Sequence, residues 1–203
     1  MLSVITSYFA RPDALDRFLA EISPVKDSMD IEFIISEHKS DKLSFSTGKL
    51  HNTAVKQAKG DVILKQDIDC TFTNYKKLYD YVKEKQTLVN VGVTYNNCKV
   101  PYGNEFAMPR YQWPSEPEWV GYGWEDYALI AKWMVQNGEK QVLRLVMKGI
   151  PLLHCTNVFR DGIARKKNAQ SQFSMFHHDH IRDITGATDN RILFYNLIQE
   201  LIA

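Results

Sequence analysis

Short apolar runs alternate with amphipathic segments along the first third of the chain. Consecutive β-branched and apolar residues are typical of strands buried in a parallel sheet, whereas apolar positions three and four residues apart indicate helices. The predicted elements are, in chain order, a strand over 2–6, a helix beginning at Pro12, a strand over 31–36, a helix over 49–59 and a strand over 61–65. Gly60 is the predicted C-cap of the second helix. This order predicts a mostly parallel sheet with helices on both faces.

The pattern of the remaining chain is less regular. Its predicted elements are an amphipathic helix over 74–85, a strand over 88–93, a helix over 125–136 that ends at Asn137-Gly138, a strand over 142–147 and a terminal helix over 191–202. The terminal helix is predicted to turn four apolar residues inward, namely Leu193, Phe194, Leu197 and Leu201. Residues 95–123 combine Asn, Gly, Pro and aromatic residues with little periodicity, which indicates a functional region. Residues 157–186 are polar and basic, which predicts a mobile loop.

Composition then limits the class of protein. The chain has 203 residues, of which 44% are hydrophobic, enough for one compact domain with a substantial core. A net charge of +1 gives no overall electrostatic footprint for nucleic acid, although a local patch remains compatible with it. No apolar stretch approaches the roughly 18 residues of a membrane span, and the N-terminal residues lack the basic region of a signal peptide.

The cysteines give a further limit. Cys70, Cys98 and Cys155 are odd in number and widely spaced, and they include no C-x-x-C pair. This spacing disfavours a disulfide framework and a zinc ribbon. Together with the absence of a leader pattern, it predicts a cytoplasmic protein.

The strongest local feature is the triplet Asp67-Ile68-Asp69, directly after the third predicted strand. Alternation along an extended chain directs Asp67 and Asp69 to one side and Ile68 to the core. Open α/β sheets bind ligands at the carboxyl ends of their strands. Two carboxylates there are candidate ligands of Mg²⁺ or Mn²⁺, with coordination positions left for substrate phosphates. The alternative is a solvated turn with a helix-capping Asp, since such triplets are frequent by chance.

A second feature is the segment that opens the helix predicted over 125–136. It reads Gly121-Tyr122-Gly123-Trp124-Glu125-Asp126. Indole faces pack on the apolar face of a sugar ring, and a nearby carboxylate can bind or deprotonate a hydroxyl group. The segment is therefore a candidate sugar site, with ordinary capping by two acidic residues in the first turn as the alternative.

Polar and aromatic residues also mark the ends of the first two strands. The first strand continues into Thr6, Ser7, Tyr8 and Arg11, and the second ends near Glu37. Hydroxyl, aromatic and carboxylate groups at this edge can hold a base or a ribose. Ordinary loop polarity is the alternative and carries equal weight.

Histidines and basic residues form the last candidates. His154 ends an apolar run, and such a histidine is usually structural unless the fold brings it to the Asp pair, where an imidazole favours Mn²⁺ over Mg²⁺. The basic stretch 160–167 and the HHDH sequence at 177–180 have the character of a solvated tail. Basic side chains there can close over a diphosphate or contact a nucleic-acid backbone.

Taken in order, these segments resemble a GT-A-type glycosyltransferase, close to the family-two glycosyltransferases and the galactosyltransferase-like C-terminal half. The matching segments are VITSYFARPDAL, a strand ending in Glu37, KLHNTAVKQAKGDVILKQDID, GYGWEDYALIAKW and LLHC, which together span roughly residues 2–155. The resemblance implies a Rossmann-like nucleotide-binding sheet in a single domain. Residues 1–94 would bind the nucleotide sugar, 95–156 the acceptor, and 157–203 would form a basic loop and a terminal helix.

The resemblance also implies a role for each candidate residue. Asp67 and Asp69, joined by His154, would hold Mn²⁺ or Mg²⁺ on the donor diphosphate. Asp126 would be the catalytic base of an inverting enzyme, with Glu125 beside it. The nucleotide-binding residues implied are Thr6, Ser7, Tyr8, Arg11, Glu37, Lys49, Asn52 and Asp67, and the sugar or acceptor residues are Gly123 and Trp124. The donor would be a nucleoside-diphosphate sugar, foremost a UDP-sugar.

Several possibilities stay open at this point. The enzyme would be a hexosyl- or pentosyltransferase, and its acceptor could be a glycan, a lipid-linked sugar, a protein or a modified base in phage DNA. Asp67-Ile68-Asp69-Cys70-Thr71 also fits the D-x-D-x-T of haloacid-dehalogenase-like phosphatases, in which the first Asp is the nucleophile. A non-catalytic module that binds nucleotide sugars or nucleic acid is the third interpretation.

Overall fold

The computed structural model of this protein describes residues 1–8, 12–38, 46–68, 70–94, 102–120, 125–138, 142–151 and 191–202. The elements are β1 (Leu2–Tyr8), α1 (Pro12–Lys26), β2 (Ile31–Glu37), α2 (Thr47–Gln57), β3 (Val62–Lys65), β4 (Cys70–Phe72), α3 (Tyr75–Lys85), β5 (Val89–Thr94), β6 (Tyr102–Pro109), a 3₁₀ turn (Arg110–Gln112), α4 (Glu125–Asn137), β7 (Leu143–Pro151) and α5 (Arg191–Ile202). No helix among the described residues is long and apolar enough to cross a membrane.

The described strands form a seven-stranded mixed sheet in the order β2-β1-β3-β6-β5-β7-β4. β1 is parallel to β2 and to β3, so that Leu2 lies opposite both Ile31 and Val62. β6 runs antiparallel to β3 and β5, and β4 runs antiparallel to β7, whereas β5 and β7 are parallel. The predicted α/β class is confirmed, and the parallel part of the sheet includes the first three strands.

Helices cover both faces of this sheet. On one face, Val4 and Leu64 pack with Leu78 and Val82 of α3. On the other face, Ile5 packs with Ala54 of α2. Because successive strand residues point to opposite faces, one apolar run serves two helical layers.

β6 lies inside the stretch that the sequence pattern marks as irregular. Its residues, YGNEFAMP, include no β-branched side chain and therefore give little local strand signal. The strand exists because it pairs with β3 on one side and β5 on the other, which buries Phe106, Ala107 and Met108 completely or nearly so. Pairing within the sheet has overridden the weak local preference.

Two local expectations are wrong. Helix α2 ends at Gln57 with Ala58 as its C-cap, so Gly60 does not cap it. Gly60 instead passes close to β1, where an added Cβ would lie 2.4 Å from Ser3 Oγ and 2.6 Å from the Met1 carbonyl oxygen, and only glycine fits. Leu193 of α5 is 42% exposed rather than turned inward.

Candidate active site

The carboxyl ends of β1, β2 and β3 meet at one edge of the sheet. In the strand order β2-β1-β3, the chain moves from β1 to the strand on one side and then from β2 to the strand on the other side of β1. The switch point therefore lies between β1 and β3, and ligands of α/β sheets bind outside such a point. Predicted site residues stand at this edge: Thr6 and Ser7 near the end of β1 and Asp67 after β3. The structure therefore brings the ends of the two strands together as expected.

Tyr8 and Glu37 form the outer part of this edge. The two residues face each other in the parallel register of β1 and β2, and their side chains are hydrogen bonded. Partial burial, followed by the charge of Glu37, raises the pKa of the Tyr8 hydroxyl. The pair is well placed to line a ligand, since Glu37 is exposed and Tyr8 half-buried.

The turn after β3 has the predicted alternation as far as it is described. Asp67 is exposed, whereas Ile68 is only 6% exposed and packs with Phe18 and Ile22 of α1. The buried isoleucine fixes the turn and leaves the Asp67 carboxylate on the outside. Asp69 lies outside the described residues.

A buried lysine joins the end of β3 to the start of α4. Lys65 is 4% exposed, and its Nζ donates a hydrogen bond to Asp126 Oδ1 in an ion pair. Burial alone would lower the pKa of Lys65, but the negative charges of Asp126, then Glu116 and Asp67, raise it well above its usual range. The ammonium is therefore charged, paired with Asp126 and further stabilised by the charges of Glu116 and Asp67.

Asp126 stands in the first turn of α4, as predicted, beside the buried Glu125. Burial raises the pKa of the Asp126 carboxyl, the charges of Glu116 and Asp67 raise it further, and the Lys65 ammonium opposes them. In the part of the chain that the structure describes, Lys65 is the hydrogen-bond partner of Asp126 and binds its Oδ1. A carboxylate with a raised pKa is a stronger base than a free aspartate.

Three side chains form a hydrogen-bonded series behind this edge. Ser7 Oγ lies 3.0 Å from His51 Nε2, and His51 Nδ1 lies 2.8 Å from Glu116 Oε2. The side chains of His51 and Glu116 are 5% and 1% exposed. Burial alone would raise the pKa of Glu116, but the charge and hydrogen bond of His51, together with Lys65, hold it below its usual range.

Asn52 anchors the segment that carries Glu116. Its Oδ1 accepts hydrogen bonds from the indole of Trp113 at 3.0 Å and from the Glu116 backbone N–H at 2.9 Å. Its Nδ2 donates to the Glu116 carbonyl at 2.8 Å and to Glu118 Oε1 at 3.1 Å. These bonds use the full capacity of the amide, which favours a structural role over donor contact for Asn52. Lys49, one turn earlier, is exposed.

Gly48→Ala is expected to destabilise the protein by about 1–3 kcal/mol, as overpacking in a rigid interior does. A Cβ on Gly48 would lie 2.0 Å from the Pro117 carbonyl oxygen, a backbone atom that cannot rotate away. This clash outweighs the roughly 1 kcal/mol that alanine gains over glycine in a helix. Urea denaturation measures the change, with Lys56→Ala on the exposed side of α2 as the control. An unchanged midpoint for Gly48→Ala would show that the 113–118 segment is not held against α2.

Several predicted site residues lie outside the described residues, namely Arg11, Asp69, Gly123, Trp124 and His154. The basic stretch 160–167 and the HHDH sequence lie there too. Within the described ranges, no group of three His, Cys, Asp or Glu side chains is arranged to hold a metal. The predicted metal site thus stays a prediction in which Asp67 is the described member.

Sequence reasoning missed Lys65, His51 and Glu116. Lys65 had a signal, since a charged residue ends a short apolar run that is buried throughout. His51 occupies a buried position of α2, next to Asn52, but a lone histidine in a helix is not distinctive. Glu116 had no signal, because its burial depends on contacts across 65 residues of chain.

Comparison with known proteins gives the fold a precedent. No protein-family profile matches the sequence, and no curated protein matches it either. Among solved structures, a Drosophila β-1,4-galactosyltransferase 7 variant in complex with manganese, UDP-Gal and xylobiose aligns with a TM-score of 0.55 at 17% identity, covering 70% of this chain and 63% of that one. Glucosyl-3-phosphoglycerate synthase from Mycobacterium tuberculosis, in complex with Mn²⁺, UDP-glucose and phosphoglyceric acid, aligns with a TM-score of 0.55 at 15% identity, covering 74% and 71%.

The chain spans less than two thirds of the galactosyltransferase it matches. At these identities the likeness concerns the fold. The resemblance suggested by the motifs is confirmed at this level: the chain has the GT-A fold of nucleotide-sugar-dependent glycosyltransferases.

Proposed function

We propose that this protein is a metal-dependent glycosyltransferase that moves a sugar from a nucleoside-diphosphate sugar to an acceptor hydroxyl. One observation carries the proposal: the buried Lys65 holds Asp126 of α4 at the end of β3, close to Asp67. The candidate base and the candidate metal ligand come from positions that are distant in sequence and meet at the ligand-binding edge of the sheet.

The donor nucleotide would lie against the ends of β1 and β2. Ser7 and Tyr8 supply hydroxyl groups there, and Glu37 supplies an exposed carboxylate, whereas Thr6 is fully buried. Arg11 and Lys49 would contribute positive charge toward the diphosphate. A UDP-sugar is the favoured donor, because the matched galactosyltransferase and glucosyl-3-phosphoglycerate synthase were solved with UDP-Gal and UDP-glucose.

The charges at the edge fit a divalent cation. Asp67, Glu116 and Asp126 are opposed by the buried ammonium of Lys65, which leaves the edge negative where a diphosphate has to bind. Carboxylate oxygen is the ligand that Mg²⁺ and Mn²⁺ prefer. Asp67 would hold the metal together with Asp69 and His154, and a bound metal neutralises charge on the leaving diphosphate.

Asp126 would act as the base. Its carboxylate takes the proton of the acceptor hydroxyl as that oxygen forms a bond to the anomeric carbon, and the bond from the anomeric carbon to the diphosphate breaks with its electron pair on the phosphate oxygen. One displacement of this kind inverts the anomeric configuration. Lys65 binds one carboxylate oxygen and so fixes the direction of the other.

The acceptor side would be built by residues 95–156. Trp124 and Gly123 directly precede α4, and Glu125 lies in its first turn. A hexose or pentose is the group transferred, and the acceptor is a glycan, a protein or a modified base in phage DNA. The phosphatase interpretation, with Asp67 as nucleophile, gains no support from a GT-A fold.

Binding of the donor diphosphate tests this function first. Melting temperature is measured with UDP, GDP and CDP, each with Mn²⁺ or with EDTA, for the wild type, Asp67→Asn and the exposed control Asp27→Asn. A ligand at a hundred times its Kd adds about 2.7 kcal/mol, which raises Tm by roughly 5–10 °C for a domain of this size. We expect one diphosphate to do so only with metal, in the wild type and Asp27→Asn but not in Asp67→Asn.

Two outcomes would contradict this proposal. If none of the diphosphates shifts the melting temperature in the presence of Mn²⁺, the transferase function is wrong. If stabilisation survives EDTA and Asp67→Asn unchanged, the protein binds nucleotides without the proposed metal site.

A further inference from the structure

We propose that Glu116 is a positioning residue of the transfer reaction: its carboxylate oxygen Oε1 binds the ammonium of Lys65 once Asp126 has taken the proton of the acceptor. The inference rests on the proposed function, because it concerns what happens around the same base. Its basis is Glu116 Oε1 itself, a buried oxygen that has no hydrogen-bond partner among the described residues and that the catalytic scheme above does not use.

The Glu116 carboxylate is charged and only half satisfied. Its side chain is 1% exposed, so bulk solvent does not reach it. Oε2 accepts a hydrogen bond from His51 Nδ1 at 2.8 Å, and Nδ1 is the donor whether the imidazole is neutral or charged, because a carboxylate only accepts. Burial alone would raise the pKa of Glu116, but the charge and hydrogen bond of His51 hold it below its usual range. A buried charged oxygen without a donor is unfavourable, so Oε1 is poised to accept one.

Lys65 is the buried cation on the same side of the sheet. It follows Ile63 by two residues in β3, so its side chain leaves the sheet on the face covered by α2, to which Glu116 is bonded. Burial lowers the pKa of Lys65, whereas Asp126, then Glu116 and last Asp67 raise it. Glu116 is therefore second to Asp126 in its attraction for this ammonium. The flexible four-carbon stem of a lysine allows its ammonium to move between neighbouring acceptors.

The transfer reaction changes the balance between the two acceptors. Before the reaction, Lys65 binds Asp126. As the acceptor oxygen bonds to the anomeric carbon, its proton moves to Asp126, and the bond from the anomeric carbon to the diphosphate breaks with its electron pair on the phosphate oxygen. Asp126 is then neutral, and Lys65 is a buried cation without an ion pair, which is strongly unfavourable. Binding of the ammonium to Glu116 Oε1 restores a charged pair.

Asp67, the third carboxylate that acts on Lys65, is less suited to this role. It is exposed, and in the proposed function it holds the metal, whose positive charge repels an ammonium. Glu116 is buried and bonded to α2, and a buried pair is screened much less than an exposed one. The structure therefore favours Glu116 as the second partner of Lys65.

A crystal structure of Asp126→Asn, without substrate, tests the shift directly. Asparagine has the shape of the aspartate side chain but no charge, so this variant represents the base after it has taken the proton. We expect Lys65 Nζ to lie within hydrogen-bond distance of Glu116 Oε1, about 2.7–3.2 Å. If the ammonium stays on the substituted side chain, or if a water molecule occupies Oε1, the inference is wrong.

Urea denaturation tests the same pair in solution. Glu116→Gln is made in the wild type and in Asp126→Asn, with Glu118→Gln as the control, because Glu118 is exposed on the same segment and accepts a hydrogen bond from Asn52. We expect Glu116→Gln to lower the folding equilibrium constant about tenfold more in Asp126→Asn than in the wild type, as loss of one charged hydrogen bond does. Glu118→Gln should act equally in both. Equal effects of Glu116→Gln in both would contradict the inference.

Turnover separates positioning from a structural role. Release of UDP from UDP-Gal or UDP-glucose is measured with Mn²⁺ for the wild type, Glu116→Gln and Glu118→Gln. We expect Glu116→Gln to lower kcat about tenfold and to leave KM unchanged, because its bond to Lys65 forms only as the proton moves. Glu118→Gln should behave like the wild type. A raised KM with unchanged kcat, or no change at all, would show that Glu116 has no positioning role.

These measurements separate the inference from the function on which it rests. If the ammonium stays in place in Asp126→Asn while the wild type binds a nucleoside diphosphate with Mn²⁺, the inference is wrong and donor binding stands. If the wild type binds no nucleoside diphosphate with Mn²⁺, the proposed function fails, and the positioning role falls with it even where the ammonium moves.

Discussion

Asp126→Asn is expected to lower the turnover of the donor sugar by about 10²–10⁴-fold, the range that a positioned general base contributes. The amide keeps the shape of the side chain but cannot take the acceptor proton. Metal-dependent donor binding should survive, because Asp126 is not among the residues proposed to hold the diphosphate. Release of the nucleoside diphosphate measures turnover, and the melting-temperature shift measures binding.

Asp27→Asn, on an exposed turn between α1 and β2, is the control and should turn over like the wild type. Because Asp126→Asn leaves the Lys65 ammonium without its ion pair, only variant protein that still responds to donor counts as folded. Full turnover by such a preparation would refute the base role of Asp126.

Lys65→Met is expected to have the largest effect on stability, about 3 kcal/mol, because removing one partner of a buried pair leaves the other uncompensated. The side chains of Lys65 and Asp126 are 6% and 23% exposed, and Glu116 and Asp67 would repel Asp126 once the ammonium is gone. Urea denaturation at neutral pH measures the loss. Adding Asp126→Asn should recover part of it, since the double variant buries no unpaired charge at this point.

Lys76→Met is the matched control, because Lys76 pairs with Asp80 on the surface of α3 with both side chains more than half exposed. Such exposed pairs contribute about 0–1 kcal/mol. Equal losses for Lys65→Met and Lys76→Met would show that the buried pair contributes no more than a surface pair.

The same substitution predicts a change in pH dependence. The Lys65 ammonium lowers the pKa of Asp126, whereas burial, Glu116 and Asp67 raise it. In Lys65→Met the opposing charge is lost, so the pKa of Asp126 rises and the base stays protonated up to a higher pH. The acidic limb of the kcat/KM profile should move to higher pH, and an unmoved limb would mean that Asp126 is not the group that titrates.

The elements with strong local patterns were predictable. β1, β2 and β3 are apolar runs, and α1, α3 and α4 carry helical periodicity, with α3 beginning at Tyr75, one residue after the predicted start. β6 was not predictable, because its strand conformation comes from neighbours on both sides rather than from its own residues. The same holds for the site residues. Sequence motifs predicted Asp67 and Asp126, whereas no motif predicted Glu116.

Sequence by itself determined the chemistry available to this protein: acidic residues after β3 and at the start of α4, hydroxyl groups at the end of β1, and the alternation that places them at strand and helix ends. Only the tertiary structure decided which of these groups meet. Lys65 reaches Asp126 across 61 residues and His51 reaches Glu116 across 65, so both pairs form only when the sheet and α2 have packed. Burial then strengthens the electrostatic coupling between these charges, and this coupling cannot be predicted from a local sequence pattern.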